Sequence, residues 1–345
     1  MDLKEKRTEL SSLGEFGLID KLQQFVHLNN TDTIKGIGDD AAVIDCGDHV
    51  RLISTDMMVE GIHFDLSYMP LKHLGYKAVA TNVSDIAAMN GKPTQLTVSI
   101  AISNKFSVEA IEELYRGIEA ACEAYQVDLV GGDTTSSQSG LIISITVIGM
   151  ASKEDVVYRS TAKDKDIICV TGDLGGAYMG LQLLEREKQV FLANPDAQPQ
   201  LEDKEYVVQR QLKPEARMDF IHELKNLGVL PTAMIDISDG LASELMHLCK
   251  ASKLGARIFE DKLPIDSQTE QVANEFNIST NTCMLNGGED YELLFTIAQE
   301  DFVKLRNHPD VTTIGYMENI DKGICLVSNG QQLVPLTAQG WNHFE

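Results

Sequence analysis

Six times along this chain an acidic residue stands beside glycine, at the end of an apolar strand, or inside an apolar helix. Gly36-Ile37-Gly38-Asp39-Asp40 leads into the apolar Ala41-Ala42-Val43, and Leu52-Ile53-Ser54-Thr55-Asp56 ends an apolar run in two hydroxyls and an acid. Asn82-Val83-Ser84-Asp85 places an acid inside an otherwise apolar helix, and Gly131-Gly132-Asp133-Thr134-Thr135 follows a buried strand. Asp236-Ile237-Ser238-Asp239-Gly240 precedes a helix, and Gly287-Gly288-Glu289-Asp290-Tyr291 precedes a strand. Neighbouring carboxylates repel, and an unpaired one near an apolar core is costly. Such a chain must therefore fold so that positive charge comes to lie among these acids.

The chain has 29 Lys and Arg against 52 Asp and Glu, a net charge of −23, and few of the basic residues lie near the six motifs in sequence. Bound Mg²⁺ is then the economical counter-charge, because it takes hard oxygen ligands: one or two carboxylates, waters and nucleotide phosphates. Glycines beside the acids let backbone N–H groups approach phosphate oxygens. Each motif alone has a plainer reading. Asp239 could cap a helix, Asp85 could pair with a lysine, and Asp133 could belong to a turn. Six together make the plain reading improbable.

Other chemistries are excluded by what is missing. There is no G-x-x-x-x-G-K-[ST] loop, no H-R-D or D-F-G set, no G-x-S-x-G elbow and no H-E-x-x-H pair. Gly172-Asp173-Leu174-Gly175-Gly176 has the wrong spacing for a dinucleotide loop and reads as a helix entry. Six scattered cysteines without a C-x-x-C pair suggest neither zinc nor redox chemistry. The acidic balance repels a polyphosphate backbone, so no nucleic-acid partner is expected. No stretch approaches the roughly 18 apolar residues of a membrane span, and the charged Met1 to Thr8 lacks the apolar run of a secretory signal. A cytoplasmic protein without a membrane partner is expected.

At 345 residues the chain has room for two domains, each with its own core. The patterning predicts strands over 50–56, 95–102, 127–130 and 141–148, with helices from Pro70 to about Gly91 and from Ser107 to Tyr125. Gly131-Gly132-Asp133 reads as a turn. The apolar pattern lapses around 152–165, which places the domain joint there, so the expected units are 1–151 and 152–345. Beyond the joint the mixture repeats: a strand at 166–171, helices at 175–187, 214–227 and 241–251, and strands near 256, 293 and 312. Between the first two helices lies a polar insertion at 194–199. The pattern is α/β and α+β.

In order and content the six motifs resemble the thiamine-monophosphate kinase family of the aminoimidazole ribonucleotide synthetase-like ATP-binding superfamily. The likeness runs from Gly14-Glu15-Phe16 to Gly340-Trp341-Asn342-His343-Phe344 and includes Gly61-Ile62-His63-Phe64. It implies a two-domain fold, with an N-terminal α/β domain that dimerises and a C-terminal α+β domain that closes over a nucleotide cleft near the homodimer interface. By this resemblance Asp40, Ser54, Thr55, Asp56, Asp85, Asp133, Asp236 and Asp239 would hold several Mg²⁺ ions. Tyr115, Gly132, Asp133, Arg159 and Ser238 would contact ATP as co-substrate, and His63, Glu289 and Trp341 would face thiamine monophosphate. The implied reaction is transfer of a phosphoryl group from ATP to thiamine monophosphate.

A phosphomonoester acceptor with second pKa about 6 is already mostly dianionic at pH 7, so no general base is needed. No residue stands out as a nucleophile, and direct in-line transfer without a phosphoenzyme is expected. Within the superfamily, selenophosphate synthetase would bring a reactive residue in a glycine-rich N-terminal segment, yet no cysteine precedes Cys46. The hydrogenase maturation protein would end in cysteine, whereas this chain ends in Phe344-Glu345. Aminoimidazole ribonucleotide synthetase lacks the match at 287–291. A non-catalytic nucleotide or metal sensor is the rival of another class.

Overall fold

The computed structural model describes residues 10 and 13–337. In the first half α1 (Gly14–Gln23) precedes β1 (Thr33–Lys35), β2 (Ala42–Asp45), β3 (His49–Val59), α2 (Leu71–Ala88), β4 (Lys92–Ile102), α3 (Val108–Tyr125), β5 (Asp128–Ser136) and β6 (Ile142–Ser152). The second half begins with β7 (Ile167–Thr171), α4 (Gly176–Ala193), α5 (Glu205–Leu212), α6 (Met218–Leu227), β8 (Ala233–Asp236), α7 (Leu241–Ser252) and β9 (Leu254–Phe259). It ends with α8 (Ser267–Glu275), α9 (Thr280–Asn286), β10 (Leu293–Ile297), α10 (Phe302–Leu305), β11 (Val311–Asn319), β12 (Ile324–Val327) and β13 (Leu333–Pro335).

The first six strands form one sheet in the order β1-β2-β3-β6-β4-β5, in which only β4 and β5 run parallel. Period-2 alternation sends Val50, Leu52 and Met58 of β3 inward, where they are buried. The opposite face carries Ile53, Thr55, Met57, Ser99, Ser144 and Thr146, all half-buried or exposed. Helices α2 and α3 cover the inward face. They lie almost backbone to backbone: a Cβ on Gly117 would come within 1.9 Å of the Lys72 carbonyl oxygen, and one on Gly75 within 2.1 Å of that of Leu114. Helix α3 starts where its sequence predicts, with Ser107 Oγ accepting from the Ala110 N–H at 3.3 Å.

Seven strands in the order β13-β12-β9-β11-β7-β10-β8 form the second sheet, with β8 at its edge. Helix α2 is buried on every side from Leu74 to Ser84, because it is sandwiched between the first sheet and the second half of the chain. Each half keeps an apolar cluster of its own, around Val43, Leu52 and Val147 in the first and around Ile235, Leu245 and Ile258 in the second, and a further cluster joins them. One apolar cluster runs from Met58, Leu74 and Leu96 through to Phe220, Met234 and Phe295. Phe220 and Phe295 meet with ring centroids 5.3 Å apart.

Elsewhere the boundaries move. The 131–133 segment is not a turn: β5 continues to Ser136 because β4 offers it a parallel ladder from Gln95 to Ile102. Helix α4 runs on to Ala193, directly before the polar insertion, and α6 starts only at Met218, past Pro214. Among the described residues no helix is long and apolar enough to cross a membrane.

Candidate active site

Three carboxylates from distant parts of the chain converge between the sheets. Asp40 comes from the glycine turn before β2, Asp85 from the last turn of α2 and Asp236 from the end of β8. One oxygen of each lies within 4.8 Å of those of the other two. Asp40 and Asp236 are only 7 % and 4 % exposed. Ser54 Oγ donates to Asp85 Oδ2 at 2.5 Å, and Ser84 Oγ to Asp236 Oδ2 at 2.6 Å. Each hydroxyl engages Oδ2 of its carboxylate, which leaves Oδ1 of Asp85 and of Asp236 for another ligand.

Such crowding is electrostatically unfavourable without a cation. The Asp85 carboxyl is pushed well up by burial first and then by the charges of Asp56, Asp236 and Asp40. That of Asp236 is pushed up to about 7 by burial and by Asp40, against the opposing pull of Ser84 and Arg159. Asp56, whose N–H donates to Asn82 Oδ1 at 3.1 Å, lies beside the group, still reached by solvent but closely surrounded by protein, and that desolvation and the charge of Glu15 raise its carboxyl to about 6. An all-oxygen set of this size fits Mg²⁺, whose six ligands at about 2.1 Å stand roughly 3 to 4 Å from one another.

These shifts predict a pH dependence for the metal-free protein. Folded Asp56 and Asp236 keep their protons up to about pH 6 and 7, whereas the unfolded chain releases them near 3.8. Between those values the native state binds more protons, so stability falls as pH rises, and Asp85 and Glu244, also raised well above the usual carboxylate range, add to the decline. Thermal melts in a chelator should show this decline. Added Mg²⁺ should reverse it, most strongly at the alkaline end.

Not every expected ligand joins the group. Thr55 turns to the opposite face of β3, where its hydroxyl donates to the Ile145 carbonyl at 3.0 Å and accepts from Thr146 Oγ1 at 3.1 Å. Asp133 is in register with Ser99, Ser144 and Met57, three strands from β3, or about 14 Å at normal strand spacing. It lies on the exposed edge strand β5. Beside it Gly132 presses on β4, where a Cβ would come within 1.8 Å of the Val98 carbonyl oxygen. Asp239 is half-buried in the loop after Asp236, its N–H donating to Glu244 Oε1 at 3.1 Å.

The residues expected around ATP are likewise dispersed. Arg159 lies against the acids: its Nε and Nη2 donate to the two oxygens of Asp40 at 2.9 and 2.5 Å, and its N–H reaches Asp39 Oδ1 at 3.1 Å. Ser238 Oγ reaches Glu244 Oε1 at 3.4 Å. Tyr115 packs half-buried on α3 against the shared core.

Of the residues expected at the acceptor, His63 sits in the turn after β3, with Nδ1 accepting the Val59 N–H at 3.0 Å. The 287–292 loop packs directly on the 236–240 loop, the Glu289 and Tyr291 N–H groups donating to the Ser238 and Ile237 carbonyls at 2.7 and 2.9 Å. Trp341 lies outside the described residues.

The positive charge near the motifs is greater than linear sequence suggests. Arg210 and Arg217 both grip Glu292, at 2.8 and 2.5 Å, and Arg210 reaches Asp290 at 3.5 Å. Asp290 also accepts the N–H groups of Gly175 and Ala177 at 2.6 and 3.2 Å, so it caps α4. The acids of the 287–292 motif are thus partly neutralised by protein, while Asp85 and Asp236 are not. Sequence reasoning also missed Glu244, buried beside Asp239 with its carboxyl pushed well up by burial and by Asp239 and Asp236. The two arginines, more than 70 positions from the motif they serve, gave no local signal.

Comparison with known proteins gives a consistent picture. The family profiles "AIR synthase related protein, N-terminal domain" and "AIR synthase related protein, C-terminal domain" match residues 38–151 and 164–327. The thiamine-monophosphate kinase of Bacillus subtilis is 36 % identical over 340 residues, covering 96 % of this chain and 100 % of the relative. That of Escherichia coli is 35 % identical, covering 96 % and 98 %. A solved structure described as "AaThiL complexed with AMPPCP and TMP" superimposes with a TM-score of 0.83 at 31 % identity, covering 99 % of this chain and 100 % of the other. Hydrogenase maturation protein HypE in complex with ATP, at 18 % identity and a TM-score of 0.65, covering 96 % of this chain and 94 % of its own, shares the fold.

Proposed function

Since the chain belongs to the thiamine-monophosphate kinase family, we propose that it transfers the terminal phosphoryl group of ATP directly to the phosphate of thiamine monophosphate, forming thiamine diphosphate. The observation that carries this reading is the convergence of Asp40, Asp85 and Asp236, three acids with one oxygen each within 4.8 Å of the others' and, among the described residues, a single guanidinium, that of Arg159 on Asp40, against them. When bound there, Mg²⁺ supplies charge neutralisation for two polyanions that must meet in line.

The chain's own residues bind and orient. Asp40, Asp85 and Asp236 form the floor of the metal subsite, with Ser54, Asp56 and Asp239 beside them, while Thr55 stands on the opposite face of β3. Arg159, bidentate on Asp40, is placed to turn toward a phosphate oxygen, with Ser238 on the loop after Asp236; Tyr115 on α3 and Gly132 on β5 are the further nucleotide contacts, set apart from these within one chain. His63, Glu289 and Trp341 serve the acceptor. Residues 1–151 supply most of the nucleotide and metal contacts, and 152–345 close over them, adding Asp236, Asp239, Arg159 and Ser238.

We read the uncovered face of the first sheet, with Met57 57 % exposed, as the surface on which a second copy packs. A homodimer formed there also gives Asp133, remote from the trio within one chain, a neighbouring cleft to serve. The protein is taken to work in the cytoplasm.

A coupled ADP-release assay tests the activity. Turnover should need both Mg²⁺ and thiamine monophosphate, and the product should be thiamine diphosphate. ATP binding without acceptor-dependent ADP release would identify a sensor and overturn the reading.

A further inference from the structure

Besides Asp85 and the exposed Lys72, helix α2 carries a further charged side chain. Lys77 is fully buried, with 0 % exposure, in a run of small and apolar residues. Its Nζ lies 2.9 Å from Glu289 Oε1 and donates to the Gln211 carbonyl at 3.0 Å. Gln211 Nε2 donates to the other oxygen, Glu289 Oε2, at 2.9 Å. Both oxygens of Glu289 are therefore held, while 27 % of its side chain remains open.

Lysine is almost never fully buried unless paired, and well-packed apolar residues are often at least as stabilising as a buried ion pair. The ammonium thus calls for a reason other than stability. Glu289 has φ +66° and Tyr291 φ +52°, sparsely populated conformations that persist only where the surroundings enforce them. The loop is clamped from one side by the Ser238 carbonyl and from the other by Lys77.

We propose that Lys77 is a positioning residue for acceptor recognition: it fixes Glu289 at a set distance from the phosphoryl-transfer site. Lys77 and Asp85 stand eight residues apart on one helix, about 12 Å along its axis. The helix acts as a ruler between the metal subsite and the carboxylate that meets the heterocyclic part of the acceptor, away from its phosphate. Lys77 belongs to the first half of the chain and Glu289 and Gln211 to the second, so the same contact sets how the halves meet. The inference rests on the functional reading above, in which Glu289 faces thiamine monophosphate.

Steady-state kinetics with each substrate varied separately test it. Lys77→Met should raise KM for thiamine monophosphate about tenfold or more, the scale of one lost charge-assisted hydrogen bond, with KM for ATP nearly unchanged. Lys77→Arg keeps the charge in a larger head and should show the same selectivity at smaller amplitude. The pair Lys77→Met with Glu289→Gln should be scarcely worse toward the acceptor than Lys77→Met alone. Equal rises in both KM values, or none, overturn the proposal. If Lys77→Met fails to fold by circular dichroism, Lys77→Arg decides by the same criterion. A parent enzyme without turnover overturns both this inference and the functional reading, whereas an active parent with unselective Lys77 variants overturns this inference alone.

Discussion

Asp236→Asn should lower kcat by about 10³ or more and yet leave the metal-free protein at least as heat-stable as the parent. The two effects share one cause. Asp236 is buried, and its carboxyl is raised to about 7 by burial and by the charge of Asp40. Asparagine removes that charge and can still accept the Ser84 hydroxyl that Asp236 accepts at 2.6 Å. One unit of pKa shift corresponds to about 1.4 kcal/mol, so relief of the repulsion should stabilise the metal-free fold by about 1 kcal/mol or more at pH 8. The same change deprives Mg²⁺ of a ligand. Calorimetry should find the Mg²⁺-dependent rise in melting temperature greatly reduced in the variant. Near-normal turnover at saturating Mg²⁺ would remove Asp236 from the metal set.

Glu292→Ala should destabilise the protein by about 2–3 kcal/mol, the cost of removing the acid that two largely buried guanidiniums share. Here the acid does have internal cations. Burial alone would raise the Glu292 carboxyl, but Arg210 and Arg217, with Thr171, outweigh it and hold it below the usual range. Its contribution to stability is accordingly present above the unfolded pKa and is lost as pH falls through the folded one. Truncation leaves two guanidinium groups close together, Arg210 with Asp290 at 3.5 Å and the Asp173 backbone carbonyl, and Arg217 with Asp219 and Asp310. A domain stable by about 5–15 kcal/mol would lose a large part of its margin. Urea denaturation should show a lower midpoint at unchanged slope. A midpoint within error of the parent's would mean that Glu292 is dispensable to the network.

The opposite stability outcomes divide the acids into two kinds. Glu292 and Asp290 form a protein-neutralised scaffold behind the 287–292 loop, whereas Asp85 and Asp236 lack an internal partner of opposite charge within their cluster. Asp40 falls between them, with Arg159 on both its oxygens. Only the acids without sufficient counter-charge require a ligand.

Local chemistry was legible from the linear chain wherever the cause is local. Ser107 as a helix cap, the 3.6-residue period of α2 and the alternation of β4 and β6 depend on near neighbours, and they appear where expected. The acid-glycine motifs announced a site because carboxylates at strand ends are costly in any fold. Gly131-Gly132-Asp133, by contrast, looked like a turn because glycine favours turns. Its continuation as strand depends on β4, about thirty residues earlier, offering free ladder positions.

Which acids share a space was decided only by tertiary structure. Ser84 and Asp236, 152 positions apart, meet because the edge strand β8 docks on α2. Thr55 and Asp133 point elsewhere because a strand sends alternate residues to opposite faces and a sheet spaces its strands by nearly 5 Å. A single sequence records the chemistry of each group. Charge pairing is a matter of distance in space, and residues as far apart in the chain as Lys77 and Glu289, or Arg217 and Glu292, acquire it only when the sheets and helices pack.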